Sequence, residues 1–112
     1  MANIYKNAFY APTTTSAIAV YTSPSNSRAI IQNIQVTNES GSKILKASIT
    51  DATNTSTIQI AYASISGATI ENIAKGPIIL EESDVLNIES NTSTGVTAVV
   101  SILEINRSDQ NG

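Results

Sequence analysis

Apolar and polar residues alternate with a period of two along most of this chain, and that alternation restricts it to β-strands. Successive side chains of a strand point to opposite faces, so a period of two buries one face and wets the other. Between Arg28 and Asn38, Ile34 and Val36 alternate with Asn33, Gln35 and Thr37. From Ile44 to Asp51, Leu45, Ala47 and Ile49 face one way and Lys46, Ser48 and Thr50 the other. Ile58, Ile60 and Tyr62 line one face of a further segment, and Leu86 and Ile88 point inward between Val85 and Glu89. Val96 to Ile105 reads as the longest strand, central and partly covered on both faces. Ile, Thr and Val supply the β-branched character that suits a pleated surface.

Turn-forming clusters separate these segments at intervals of about ten residues, as in sandwiches and barrels. They include Ser23-Pro24-Ser25-Asn26-Ser27, Glu39-Ser40-Gly41-Ser42, Lys75-Gly76-Pro77 and Asn91-Thr92-Ser93-Thr94-Gly95. Ala17–Tyr21, Thr69–Ile73 and Ile78–Leu80 read as shorter strands. The sum is roughly eight strands and no substantial helix. Each sheet must bury one face, so the expectation is an all-β, single-domain antiparallel β-sandwich over residues 1–112. Jelly-roll and immunoglobulin-like topologies both fit. The polar segment 106–112 reads as a flexible tail.

Composition removes whole classes of function. The chain has no Cys, His or Trp. Thiolate metal sites, disulfides and Ser-His or Cys-His nucleophile systems are therefore absent. The net charge is −3, with 13% charged residues, and the six Lys and Arg are scattered. Nucleic-acid binders concentrate positive charge, and here the nearest approach to a cluster is Lys43 with Lys46, which reads as a solvated face. No signal peptide or membrane-length apolar run is visible.

The remaining candidates have plain structural readings. Glu81, Glu82 and Asp84 could offer oxygens to calcium, but match no EF-hand spacing and read as a solvated turn. Asp51 with Asn54 reads as an Asx-type turn. Glu71, Glu89 and Glu104 are strand carboxylates that a glycosidase would need paired across a cleft. Asn38, Asn54, Asn91 and Asn106 begin Asn-x-Ser sequons, which chance explains in so Asn- and Ser-rich a chain. The expectation is a non-enzymatic protein without cofactor or metal.

The most informative segment is the N-terminus, where Tyr5, Phe9 and Tyr10 are three of the five aromatics. They read either as a first strand packed on its own sandwich or as an arm, residues 1–11, that docks on a neighbouring subunit. Tyr5, Phe9 and Tyr10 are accordingly the candidate partner-interface residues.

Three stretches taken in order carry a resemblance. The first is Ala2-Asn3-Ile4-Tyr5-Lys6-Asn7-Ala8. The second is Val20-Tyr21-Thr22-Ser23-Pro24 with the strand Arg28 to Asn38. The third runs from Gly76-Pro77 through Leu80-Glu81-Glu82-Ser83-Asp84 to Ile88, and ends in Val99-Val100-Ser101-Ile102-Leu103-Glu104-Ile105. This order resembles small virion structural proteins of tailed bacteriophages, especially marine and cyanobacterial ones. Ser23 departs from the pattern, standing where an apolar residue usually precedes the proline.

The resemblance implies a place in a virion, assembled in the host cytoplasm. The leading expectation is a capsid decoration or cement protein that binds the major capsid protein and bridges shell subunits. It would be a homo-oligomer, a trimer suiting three-fold positions of a shell. The alternatives are a head–tail connector, tail or fibre accessory protein, or a carbohydrate-binding adhesion module using Tyr10, Tyr21 and Tyr62 as sugar platforms. Neither nucleic acid nor membrane is an expected partner.

Overall fold

The period of two is realised as nine strands within residues 2–106, the residues that the computed structural model describes. The strands are β1 (Ala2–Tyr10), β2 (Ile18–Thr22), β3 (Ser27–Asn38), β4 (Lys43–Thr50), β5 (Thr57–Ile65), β6 (Thr69–Asn72), β7 (Ile78–Leu80), β8 (Val85–Ser90) and β9 (Val96–Asn106). The strand beyond the expected eight is the aromatic N-terminal segment, β1. The longest is β3, with 12 residues against 11 in β9. Of the expected tail, Asn106 closes β9, and 107–112 lie outside the described residues.

One sheet has the order β1-β9-β3-β6, with β7 also paired to β3; the other has the order β2-β8-β4-β5. Every pairing is antiparallel. The pairs β1·β9, β2·β8, β3·β6/β7 and β4·β5 are those of one long hairpin whose head is the loop between β4 and β5. Successive pairs fall alternately in the two sheets, so the hairpin is rolled around the core. That is jelly-roll topology, and it decides between the two topologies that alternation alone left open.

The core lies between the sheets. Ala29, Ile31, Ile34 and Val36 of β3 and Val100 and Ile102 of β9 face Leu45, Ala47, Leu86 and Ile88 of the opposite sheet. Each fully buried Ile or Leu contributes about 1.5–3 kcal/mol relative to exposure. β9 alternates buried and more exposed residues, so one of its faces is the covered one. The segment around Ile60 departs from simple alternation. A register irregularity between Ala47 and Ser48 sets Ala61 opposite Ala47 but Gln59 opposite Ser48, leaving Ile60 as the extra residue. The bulge splits the expected face: Ile60 packs on the core, whereas Tyr62 is exposed.

Asn38 ties two turns together at one end of the sandwich. Its buried Nδ2 donates to the carbonyls of Gly41 (2.7 Å), Ile65 (3.0 Å) and Ser66 (3.1 Å), and its Oδ1 accepts from Lys43 Nζ at 2.9 Å. Lys43 is itself buried and also donates to the Ser40 carbonyl. The turn at Gly67 packs so tightly that a Cβ there would clash with the backbone nitrogen of Gly41.

Candidate interaction surface

The register of the first sheet assembles an apolar surface on its outer face. Residues paired across an antiparallel sheet share a face. Tyr5 is paired with Leu103, Leu103 with Ile30, and Ile30 with Ile79. These residues form one row across β1, β9, β3 and β7, on the face away from the core. A second row joins Phe9 to Val99. Between the rows runs a polar one, Asn7, Ser101 and Asn33. Tyr5 is 76% exposed, Phe9 69% and Ile79 61%. Contiguous exposed apolar surface of this kind marks interaction sites more often than isolated exposed residues do.

The structure separates the three aromatic candidates. Tyr5 and Phe9 stand on the outer face, whereas Tyr10 points inward and is 1% exposed. Tyr10 is therefore a core residue, and this corrects its expected place beside the other two. Its hydroxyl sits by Ser90 without a hydrogen bond of good geometry. Burial raises the pKa of that hydroxyl from its ordinary value.

Ile30, Ile79, Val99 and Leu103 were not among the expected surface residues. Their signal lay in runs that are apolar in both strand phases, Ala29-Ile30-Ile31, Ile78-Ile79-Leu80, Ala98-Val99-Val100 and Ile102-Leu103. Such runs read as doubly covered strands, and here the outer phase is left open.

The inner side of the same sheet carries a charged latch at β1. Lys6 Nζ lies 3.1 Å from Oε2 of Glu104, a carboxylate on the core-facing side of β9 with a nearly buried side chain. Tyr21, across the sandwich in β2, donates its hydroxyl to the same oxygen at 2.5 Å. Desolvation, reinforced by that bond and by the Glu104 charge, holds the Tyr21 hydroxyl well above the usual tyrosine range.

The outer face of the second sheet has a different character. Tyr62, Lys46 and Glu89 are paired in a row, with Lys46 Nζ 5.6 Å from the Tyr62 ring centre. With Thr15, Ile44 and Asn91 they line a groove of about 380 Å³. Of the three expected sugar platforms, Tyr62 alone is exposed, with Tyr10 in the core and Tyr21 bonded to Glu104.

The carboxylates singled out from the sequence do not converge. Glu104 faces the core, and Glu89 lies on the outer face of the other sheet. Asp84 is buried and accepts from the amides of Ala52 (3.1 Å) and Glu81 (3.0 Å), so it braces two turns. Glu82 meets Arg28 at 3.5 Å. Among the described residues no three carboxylates are grouped to hold a metal ion. Asp51 caps its own loop through the amide of Thr53 at 2.8 Å, the Asx turn expected. The described cations are likewise dispersed: Lys6 on Glu104, Arg28 on Glu82, Lys43 in the buried network, Lys46 over Tyr62 and Lys75 exposed in the turn before β7.

No protein-family model matches this sequence, and no curated protein matches it. Solved structures do match its fold. A structure of the Gx strain of infectious bursal disease virus superposes with a TM-score of 0.56 at 14% identity, over 92% of this chain and 30% of that one. The acidic stable capsid of Helicobacter pylori bacteriophage KHP30 gives 0.57 at 12% identity, over 96% of this chain and 90% of its own. The Bacillus endospore appendages, described as disulfide-linked pili, give 0.56 at 9% identity, over 92% and 84%. The chain thus spans about a third of the viral protein first named and nearly the whole of the other two. At these identities the likeness is one of fold, and the fold shared with all three is the rolled antiparallel sandwich described above.

Proposed function

We propose that this chain is a structural component of a tailed-phage virion, a decoration or cement protein that binds the outer shell and bridges neighbouring capsid subunits. The observation that carries the reading is the apolar outer row Tyr5, Leu103, Ile30 and Ile79, laid across four strands of the sandwich. Such a face supplies adhesive area. The bacteriophage capsid of the same fold and nearly the same length supports the particle setting. The appendage subunit supports the reading that this sandwich also serves repeated assembly outside viruses, although a chain without Cys cannot be joined by the disulfides of those pili. Bridging would be mechanical: many copies, each weakly bound, hold through effective concentration. A trimer would place one copy on each subunit around a shell three-fold.

Electron microscopy of particles carrying the chain tests the assignment. Density over the outer shell at high copy number is expected. Density confined to the neck or tail, at low copy number, would replace the decoration role with the connector or tail-accessory one. The adhesion-module reading retains Tyr62 and its groove, and glycan-array binding by the isolated protein that Tyr62→Ala abolishes would establish it.

A further inference from the structure

The nine residues of β1 form the outer strand of their sheet and pair with β9 in unbroken register from Ala2 to Tyr10. An edge of this kind exposes unpaired backbone N–H and C=O groups, and proteins ordinarily blunt it with proline, a bulge, shortness or charge. This one has none of the first three. Its single charged residue, Lys6, points to the core side and is drawn onto Glu104 at 3.1 Å. The usual guard of an edge is thereby turned away from it. The exposed side chains along the outer face are Asn3, Tyr5, Asn7 and Phe9.

We infer that β1 pairs edge to edge with β1 of a second copy, antiparallel about a two-fold axis through Asn7. The occupant follows from the unguarded edge, whose outer Tyr5 and Phe9 can face their own copies, and three considerations select the register. Pairing two copies about an axis normal to the sheet keeps the outer faces on one side, so outer residues must oppose outer residues. A register centred on Lys6 would set two ammonium groups opposite each other, which disfavours it. A register centred on Tyr5 makes one aromatic pair, Tyr5 with Tyr5, where centring on Asn7 makes two. Centring on Asn7 sets Tyr5 of each copy opposite Phe9 of the other, Lys6 opposite Ala8, and the two Asn7 amides side by side. Both aromatic pairs are then cross-strand contacts. The apolar rows of the two copies merge into one continuous face spanning both sheets. The pairing is a property of the isolated chain and does not depend on the virion reading. It is compatible with three-fold rings, since a two-fold contact can join neighbouring rings.

The absence of Cys makes the test direct. Cross-strand neighbours lie within the Cα separation that a disulfide spans. The full chain carrying Asn7→Cys should oxidise to a covalent dimer for most of its molecules. Tyr5→Cys and Phe9→Cys should each stay monomeric on denaturing gels, whereas the double variant should cross-link. Circular dichroism of the reduced variants checks that each is folded. Sedimentation of the unmodified chain should give a concentration-dependent dimer that Phe9→Lys shifts to monomer, with at least a tenfold weaker association. A monomer at all concentrations, or equal cross-linking of all three single variants, overturns the pairing. Cross-linking by Tyr5→Cys or Lys6→Cys in place of Asn7→Cys overturns this register. Particle binding by a strictly monomeric chain would overturn the inference while leaving the virion role standing.

Discussion

Tyr21 and Glu104, 83 residues apart in sequence, join the two sheets of the sandwich through a hydroxyl–carboxylate hydrogen bond of 2.5 Å. Lys6 lies against the same carboxylate oxygen, so one buried charge links β1, β2 and β9. A hydrogen bond to an ionised group contributes about 1.5–3 kcal/mol, and removing its donor leaves the carboxylate less satisfied. Tyr21→Phe keeps the ring and is expected to cost about 2 kcal/mol in urea unfolding. Lys6→Met, whose ammonium is half exposed, should cost under about 1 kcal/mol. Combining Tyr21→Phe with Glu104→Gln should cost less than the sum of the two, because both break one contact. Strict additivity would remove the bond from the stabilising account.

The same tyrosine sets an alkaline limit on stability. Burial raises Tyr21 and Tyr10 above the ordinary tyrosine value of 10.0, and Glu104 adds to the effect at Tyr21. Below pH 10.0 folded and unfolded chains both keep these protons, and their contribution to stability is complete. Above it the unfolded chain releases them first, so stability falls as the pH rises further. The thermal midpoint is expected to drop above about pH 10, more gently in Tyr21→Phe than in the parent. An identical profile in the two proteins would separate Tyr21 from the alkaline transition.

Asn38 is expected to be the most sensitive polar residue. Asn38→Ala removes the side-chain donor to the carbonyls of Gly41 and Ile65, leaves the Ser66 carbonyl with the Thr69 hydroxyl alone, and takes the Oδ1 acceptor from the buried Lys43 ammonium. The cost should be about 2–3 kcal/mol, read as a lower denaturant midpoint with an unchanged slope. The same burial closes this sequon. In a eukaryotic secretory host, mass spectrometry should find Asn38 unmodified, while the exposed Asn54 and Asn91 sequons stay open to glycosylation.

Strands and their inward faces were legible because burial imposes a period of two wherever one face is covered. Ile34, Val36, Leu45, Ala47, Leu86 and Ile88 all point as their alternation indicates. The same parity rule separates Tyr10 from Tyr5 and Phe9, and grouping the three by aromatic content alone obscured it. The bulge at Ile60 was not legible, since an extra residue leaves no compositional mark. Nor was the role of Asn38, two of whose partners lie 27 and 28 residues away in sequence. The outer row was hidden for a related reason. Ile30, Ile79 and Leu103 sit in runs apolar in both phases, and alternation cannot say whether the second phase meets another layer or open solvent.

That open phase separates stability from association in a way substitution can measure. Leu86 is fully buried, and Leu86→Ala should cost about 3 kcal/mol through lost transfer energy and the cavity it leaves. Ile79 is apolar too, but it stands on the outer face of β7 and supports no core. Ile79→Ser and Tyr5→Ser should therefore each change stability by no more than about 0.5 kcal/mol. Their effect should appear in binding to shells or particles lacking the chain, measured by co-sedimentation, where each should weaken attachment several-fold. Leu86→Ala, assayed below its unfolding midpoint, should bind like the parent. Equal binding by the parent and the Ile79→Ser and Tyr5→Ser variants would move the contact surface off this face. The Tyr62 groove on the other sheet would then be the next surface to test.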